Sequence, residues 1–223
     1  MRPVADLRLY FVTDTKLSSE RGLIETAMAA VRGGATLVQL RDPLAKAGDL
    51  VRMGRALKAA LDQAGVPLIV NDRPDVALAI GAQGVHVGQD DLPPEAARAL
   101  LGPGAVIGLS ITDASQMKSV PWGLIDHVGV GPVISRGVKS DAAEPMGLAG
   151  LRACVAASRK PIVAIGGMGL SNVADCIAAG ADGVAAVAAI AGADDPEAAA
   201  TALRKAIDAA LATRGAPRGR ARP

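Results

Sequence analysis

Two aspartates have the side chains and the positions expected of a magnesium site. Asp72 and Asp91 each follow a short apolar run, at residues 68–70 and 85–87. Mg2+ takes hard oxygen ligands, typically one or two carboxylates, and water and substrate phosphates complete its octahedron. The alternative is structural, because each aspartate also precedes a helix candidate that begins near a proline and could cap that helix. Spacing alone leaves both interpretations open.

Cationic and glycine residues near other apolar runs indicate that the ligand is an anion. Arg41 ends the run at residues 37–40, and a charge at a buried strand end should face either Asp72 or a phosphate, unless it forms an ordinary salt bridge. Lys139 lies in a polar loop, where a solvated lysine is the commoner case. The pair Gly166-Gly167 leaves backbone N–H groups free to approach a phosphate, although a lone Gly-Gly is a weak signal.

The histidines and cysteines suggest no further chemistry. His86 and His127 have no second metal ligand at a suitable spacing, so we expect satisfied structural histidines. Cys154 and Cys176 lie in predicted helices and are expected to be buried, reduced thiols. The absence of a Ser/His or Cys/His pattern argues against a covalent acyl intermediate.

A repeated phrase predicts the elements that must position these residues. The pattern G-A-x-x-V begins at Gly34, Gly81 and Gly180, each time after an alanine-rich helical stretch, at intervals of 47 and 99 residues. A glycine just past a helix accommodates a left-handed C-cap, and the branched residue then opens a buried strand. With the apolar runs between these phrases, the sequence contains eight strand candidates, each followed by a helix candidate.

This order predicts a single-domain (β/α)8 TIM barrel over residues 1–213. The strands are continuous apolar runs, as expected where both faces are covered. The helices include residues 19–32, 49–64 and 196–213. A doubly wound open sheet is the runner-up, but the first strand ends in residues 13–15, Thr-Asp-Thr, rather than in a glycine-rich loop. Because barrel chemistry lies at the carboxyl ends of the strands, the candidate residues should meet at one mouth.

Composition narrows the partners to small molecules. The chain has 223 residues, 50% of them hydrophobic, and a formal net charge of +2. Four of its 24 Lys and Arg residues lie in a tail at 214–223 that has no acid, so residues 1–213 carry 20 basic against 22 acidic residues. A near-neutral body with three aromatic residues in the whole chain argues against a nucleic-acid surface. We predict that the tail is disordered coil.

Localisation follows from what the sequence lacks. The N-terminus has no uninterrupted apolar stretch of the signal-peptide type, and no run of 18 apolar residues occurs. We therefore expect a cytoplasmic protein with no membrane partner. The sequence does not determine the oligomeric state, and a homo-oligomer is compatible with it.

Taken together, the motifs resemble the thiamine-phosphate synthase family. The matching segments, in order and spacing, are 38–42 (VQLRD), 70–77 (VNDRPDVA), 84–93 (GVHVGQDDLP), 107–110 (IGLS), 131–132 (GP) with Lys139, and 164–168 (AIGGM). The resemblance covers residues 8–207. It implies a barrel that joins hydroxymethylpyrimidine diphosphate to a thiazole phosphate and releases diphosphate. The implied mechanism is dissociative and assisted by Mg2+.

The resemblance also implies a role for each matching residue. The residues that would hold the pyrimidine and its diphosphate are Gln39, Arg41, Asn71, Ser110 and Lys139, and the catalytic ones among them are Arg41, Ser110 and Lys139. Asp72 and Asp91 would bind Mg2+. Gly167 and the backbone of Val187 and Ala188 would hold the thiazole phosphate.

Three positions depart from the family pattern. Pro43 stands where the family usually has lysine, and Ala188 stands where a serine is common. Residues 136–138, Arg-Gly-Val, replace a Thr-x-Thr whose hydroxyls contact the thiazole; we expect Arg136 to compensate by pairing with a carboxylate or phosphate of the acceptor. Losing two or three neutral hydrogen bonds would weaken acceptor binding about ten- to a thousand-fold.

Two further hypotheses remain. One is a thiazole tautomerase-like proton-transfer enzyme on the same scaffold, but that relative typically has a histidine two residues after the strand-five serine, where this chain has Thr112. The other is a non-catalytic, ligand-binding relative, which the altered acceptor residues motivate.

Overall fold

The computed structural model describes residues 5–134 and 144–215. Arg136 and Lys139 therefore lie outside the described residues. The strands are β1 Leu9–Val12, β2 Leu37–Leu40, β3 Leu68–Asn71, β4 Gly84–Val87, β5 Val106–Ile111, β6 His127–Val130, β7 Ile162–Ala164 and β8 Gly183–Ala186. The α-helices are α1 Leu23–Arg32, α2 Ala47–Ala64, α3 Pro74–Ile80, α4 Pro94–Leu101, α5 Gly147–Ala157, α6 Val173–Ala178, α7 Ala188–Ala191 and α8 Pro196–Arg214.

The eight strands close into a parallel barrel, in which each strand pairs with the next along the chain and β1 pairs with β8. This confirms the predicted (β/α)8 fold. Two local differences have physical reasons. The first helix begins at Leu23 rather than at residue 19, because its N-cap Gly22 has a φ of 90°, which an α-helix does not contain. After β5 the chain forms a five-residue 3₁₀ helix, Ala114–Lys118, instead of an α-helix. Pro121 follows three residues later and, because it has no N–H to donate, does not allow a longer helix to continue through it.

The repeated phrase produces the same hydrogen bond at each of its three sites. Gly34, Gly81 and Gly180 all have positive φ, at 103°, 66° and 114°. In each case the next alanine donates its N–H to the backbone oxygen five positions earlier, at 2.9 to 3.1 Å. This is the bond that ends a helix in a Schellman motif. The phrase therefore ends each helix and starts the chain into the next strand.

The residue after that alanine joins neighbouring strands at the amino-terminal mouth. Side-chain oxygens of Thr36, Gln83 and Asp182 accept the N–H of Leu9, Leu68 and Ile162, the first residue of the preceding strand, at 3.2, 2.8 and 2.8 Å. Asp126 likewise accepts the N–H of Ile107, the second residue of β5, at 2.8 Å. These bonds satisfy backbone donors that the ladders leave over.

The last helix extends past the predicted domain boundary at residue 213. Arg214 ends α8, and its guanidinium donates to the backbone oxygen of Ile177 at 3.1 Å and also bonds to that of Ala181. Residues 216–223 lie outside the described part of the chain, so the disordered tail stays a prediction. Both cysteines are buried and free, as expected. Within residues 5–134 and 144–215, no helix is both long and apolar enough to cross a membrane.

The barrel interior combines an apolar cluster with a polar level. The buried side chains of the inner cluster are Leu7, Tyr10, Val12, Leu37, Ile69, Val106, Val163 and Ala185. Beside them two histidines, His86 and His127, face each other across Gly108 of β5, with which both are in register. A Cβ on Gly108 would lie 2.2 Å from His86 Nδ1 and 2.4 Å from His127 Nε2. Only a glycine at this position leaves room for both imidazoles.

We expect Gly108→Ala to destabilise the fold, because the added methyl group overlaps two buried rings. Overpacking of this kind costs about 1–3 kcal/mol, which lowers Tm by about 2–12 °C in a chain of this size. Gly104→Ala is the matched control, since a Cβ there meets nothing within 4 Å. Thermal unfolding of both variants checks this, and equal Tm values would contradict the packing described.

Candidate active site

The two aspartates meet at the carboxyl ends of neighbouring strands. Asp72 follows β3 and Asp91 lies in the loop after β4, and their carboxyl groups are within hydrogen-bond distance of each other. The pKa of Asp72 is raised to about 6, first by burial and then by the hydrogen bond and charge of Asp91. Asp91 also accepts the backbone N–H of Gly88 at 2.7 Å. The fold therefore holds two carboxyl groups together in a half-buried place.

Backbone strain accompanies this contact. Asp72 has a φ of 58°, and it is the one non-glycine residue with positive φ in the described ranges 5–134 and 144–215. Its N–H donates to the backbone oxygen of His86 at 2.8 Å, and Asn71 Nδ2 donates to its Oδ2 at 2.6 Å. Left-handed backbone at a residue other than glycine is uncommon and tends to occur at functional sites.

The structure excludes the helix-capping interpretation of both aspartates. The N-cap of α3 is Arg73 and that of α4 is Pro93, and neither helix has a side-chain cap hydrogen bond. Asp72 and Asp91 are therefore not engaged as helix caps, and their oxygens face each other.

Arg41 contributes positive charge to the same mouth. It follows β2, and its N–H donates to Thr13 Oγ1 at 2.9 Å. Its charge acts to lower the pKa of Asp72, against the larger effects that raise it. No ion pair within 4.0 Å among the described residues includes Arg41. Within residues 5–134 and 144–215, Arg41 therefore does not form the ordinary salt bridge considered from the sequence.

Ser110, the penultimate residue of β5, is held by two side chains from β4 and the loop after it. His86 Nε2 lies 3.0 Å from Ser110 Oγ, and Gln89 Nε2 donates to the Ser110 backbone oxygen at 2.7 Å. His86 Nδ1 is 3.4 Å from His127 Nε2. Burial lowers the pKa of His86 to about 3 and that of His127 to about 4, so both rings are uncharged at neutral pH. The histidines are satisfied, as expected, and they satisfy each other.

Gln39 points into the barrel from β2. Its side chain is buried, and its Nε2 donates to the Tyr10 hydroxyl oxygen at 2.8 Å. Burial raises the pKa of Tyr10, and the hydrogen bond from Gln39 opposes that rise. Gln39 therefore belongs to the polar level of the interior that lies below the mouth.

The loop after β7 forms a second part of the same mouth. Gly166 and Gly167 have φ values of 93° and 68°, and a Cβ on Gly167 would lie 2.5 Å from the backbone oxygen of Ile134. The Asn172 side chain secures this loop, because it donates to the Gly167 oxygen at 2.9 Å and accepts the Gly169 N–H at 3.0 Å. Glycine is required at residue 167 by both its conformation and its surroundings.

Strand β8, the neighbour of β7, brings the remaining candidates to this rim. Val187 is the N-cap of α7, and Ala188 is the first residue of that helix and is exposed. The pairing of β7 with β8 places the ends of both strands side by side. Backbone groups from the two strand ends are thus available at one place.

Sequence reasoning missed Tyr10, Gln89 and Asn172, and it did not foresee the contact between the two histidines. The histidines are 41 positions apart, and the register of β4, β5 and β6 is what brings them together. This contact could have been predicted only from the register of these three strands, and not from the spacing of the histidines along the sequence.

Comparison with known proteins identifies the family. The family model described as "Thiamine monophosphate synthase" matches residues 9–190. The thiamine-phosphate synthase of Xanthobacter autotrophicus is 53% identical over 205 residues, which are 92% of this chain and 97% of that protein. The chain belongs to the thiamine monophosphate synthase family. The family member of Moorella thermoacetica is 46% identical over 199 residues, 89% of this chain and 95% of that protein.

A solved structure agrees with the family assignment. The thiamine phosphate pyrophosphorylase from Pyrococcus furiosus has a TM-score of 0.84 and 33% identity, and covers 93% of this chain and 98% of its own. A 3-hexulose-6-phosphate synthase structure, at a TM-score of 0.66 and 22% identity, shares the fold alone. These matches confirm the resemblance inferred from the motifs. The relatives are named as thiamine-phosphate synthases, which is the activity that the resemblance implied.

We expect the metal-free protein to lose stability as pH rises because of Asp72. The raised pKa means that the unfolded chain releases this proton first, so stability contributed by protonated Asp72 is lost between about pH 4 and pH 6. Allowing for the partial exposure of the carboxylate, the loss is about 1 kcal/mol, or about 2–4 °C in Tm. Asp72→Asn removes the charge and keeps a residue that tolerates positive φ.

Thermal unfolding with a chelator present measures the difference between Asp72→Asn and the parent protein. We expect the variant to be the more stable at pH 7.5 and the two to be nearly equal at pH 4. The same difference at both pH values would show that the charge on Asp72 costs nothing in the fold.

Proposed function

We propose that this chain joins hydroxymethylpyrimidine diphosphate to a thiazole phosphate, giving thiamine phosphate and diphosphate, with Mg2+ as cofactor. The observation that carries the proposal is the contact between Asp72 and Asp91 at the barrel mouth, beside the charge of Arg41. Family membership supports the reaction, and the positions of Asp72, Asp91 and Arg41 support a site for Mg2+ and diphosphate.

The residues at this mouth fit a magnesium ion. Two half-buried carboxyl groups in contact would repel each other when both are ionised, and Asp72 keeps its proton to about pH 6 for that reason among others. The described residues contain no group of three or more His, Cys, Asp or Glu side chains suited to a metal. That matches Mg2+, which is usually held by one or two carboxylates and completes its shell with water and phosphate oxygens. When bound, the ion would neutralise charge on the diphosphate.

The chain's own residues would hold the diphosphate and neutralise its charge as it leaves. In the proposed step the bond between the pyrimidine methylene carbon and the diphosphate oxygen breaks, and diphosphate leaves with the electron pair. The thiazole nitrogen then forms the new C–N bond with its lone pair. Arg41 and Lys139 would neutralise the departing charge, and Gln39, Asn71 and Ser110 would hold the pyrimidine diphosphate. No proton has to be removed by a base for this bond to form.

The acceptor would bind on the β7–β8 side of the mouth. Gly167 and the backbone at Val187 and Ala188 would receive the thiazole phosphate, since backbone N–H groups at strand ends seven and eight often bind phosphate in this fold. Arg136 would pair with an acidic group of the acceptor. We further propose a cytoplasmic location.

The tautomerase alternative has less support. Thr112, where that enzyme would have histidine, is exposed, and its N–H donates to Gln116 Oε1 at 2.8 Å. Curated relatives 45–53% identical over most of the chain are named thiamine-phosphate synthases. The non-catalytic alternative predicts tight binding of the pyrimidine diphosphate with no product at saturating thiazole phosphate.

We expect Asp72→Asn and Asp91→Asn each to lower kcat/KM by about 100-fold or more, because each removes half of the charge that would hold Mg2+. Formation of thiamine phosphate from both substrates, at several Mg2+ concentrations, measures this. Asp62→Asn, which alters the ion pair of the half-exposed Asp62 with Lys58 on α2, is the control and should leave the rate unchanged. Full activity in either site variant would overturn the metal assignment.

We expect Ala188→Ser to lower KM for the thiazole phosphate about two- to tenfold, because it restores one hydrogen bond that the family pattern provides. The KM for the pyrimidine diphosphate should not change. Ala209→Ser, at an exposed position of α8, controls for the added hydroxyl. An unchanged acceptor KM would place the thiazole phosphate away from α7.

A further inference from the structure

A chain of buried polar side chains runs through the barrel interior to the active-site mouth. His127 Nε2 lies 3.4 Å from His86 Nδ1, and His86 Nε2 lies 3.0 Å from Ser110 Oγ. His127 is 1% exposed and His86 is 8% exposed. The Tyr10 ring packs edge-on against His127, with ring centroids 6.0 Å apart. Of these hydrogen-bonded side chains, only Ser110 reaches the partly exposed mouth.

The surroundings hold both rings in place. Gly108 lies between them in register, and Gly129 approaches His86, whose Cε1 would be 2.9 Å from a Cβ at that position. Polar groups buried in a barrel interior are costly unless they are hydrogen-bonded. Apolar side chains of similar shape could replace such a pair with little loss of stability, so the fold alone does not require two histidines here. Two glycines and two histidines together indicate a built feature.

We propose that His127 and His86 are positioning residues that fix Ser110 as a hydrogen-bond donor toward the bound pyrimidine diphosphate. His127 Nε2–H donates to His86 Nδ1, and His86 Nε2–H donates to Ser110 Oγ. The Ser110 O–H is then left to point at the ligand. This inference rests on the proposed function.

The direction of the hydrogen bonds from His127 through His86 to Ser110 follows from the number of N–H groups on the two rings. A hydrogen bond between the two facing nitrogens needs one nitrogen that carries the proton and one that accepts it. Because an uncharged imidazole carries a single N–H, this choice fixes what His86 offers to Ser110. In the opposite arrangement His86 Nε2 would accept the serine proton, and Ser110 could offer only lone pairs to the ligand. Diphosphate oxygens and pyrimidine ring nitrogens are acceptors, so they require a donor. His127 thus sets the polarity of a hydroxyl that it does not touch.

The two histidines of the chain are both in this pair, which makes the tautomers directly observable. Two-bond 1H–15N correlation spectra of the full chain, free of any histidine tag, report which ring nitrogen carries the proton. We expect both rings to be uncharged and protonated at Nε2 from pH 6 to pH 8. A proton on His86 Nδ1, or a charged ring in that range, would overturn the proposal without any reference to activity.

A double-mutant cycle tests the effect on Ser110. We expect His127→Leu to lower kcat/KM for the pyrimidine diphosphate about tenfold and to leave KM for the thiazole phosphate within twofold. His127→Gln should recover most of the loss, because its side-chain amide can donate from nearly the same position. In a Ser110→Ala background His127→Leu should change kcat/KM by less than twofold.

Val163→Ala, which removes volume from the same interior cluster, controls for loss of packing and should leave both kinetic constants unchanged. Additive losses from His127→Leu and Ser110→Ala would overturn the positioning role. If the parent protein makes no thiamine phosphate, the proposed function fails, whereas a normal parent rate with an additive cycle defeats this inference alone.

Discussion

The candidate site depends on the repulsion between two carboxyl groups that the barrel holds together. Neighbouring parallel strands end side by side, and Asp72 is kept against Asp91 by a left-handed backbone and by the amide of Asn71. Burial and proximity raise the pKa of Asp72 to about 6. A fold that keeps such a pair bears a cost that only a cation or a proton relieves. This contact is the main support for the proposal that the mouth binds a metal cation.

The other mouth of the barrel is held by regular hydrogen bonds. At the amino-terminal mouth, Thr36, Gln83, Asp126 and Asp182 accept backbone N–H groups of neighbouring strands, and the repeated glycines end helices with regular caps. Regular hydrogen bonding at one end and two carboxyl groups in contact at the other match the division in this fold between a stabilising face and a chemical face. In the arrangement proposed above, the histidine pair brings a defined hydrogen-bond direction from the barrel interior to Ser110.

Much of this could be predicted from the sequence, and the limits have physical causes. The repeated G-A-x-x-V phrase predicts the alternation of helix and strand because helix C-caps and buried strands have local signals. Asp72, Asp91 and Arg41 were placed at strand ends by the same reasoning. Spacing could not decide whether the aspartates cap helices, because that depends on backbone dihedrals that only the structure gives. Nor could it pair His86 with His127, since strand register and the small size of Gly108 decide which interior side chains touch.

The most direct test is a crystal structure of the protein with Mg2+ and inorganic diphosphate at pH 7.5. We expect one ion bound by carboxylate oxygens of Asp72 and Asp91, with diphosphate oxygens completing its shell and the Arg41 guanidinium on the diphosphate. An ion bound elsewhere, or a diphosphate bound with the two carboxylates still in contact and no ion between them, would contradict the account.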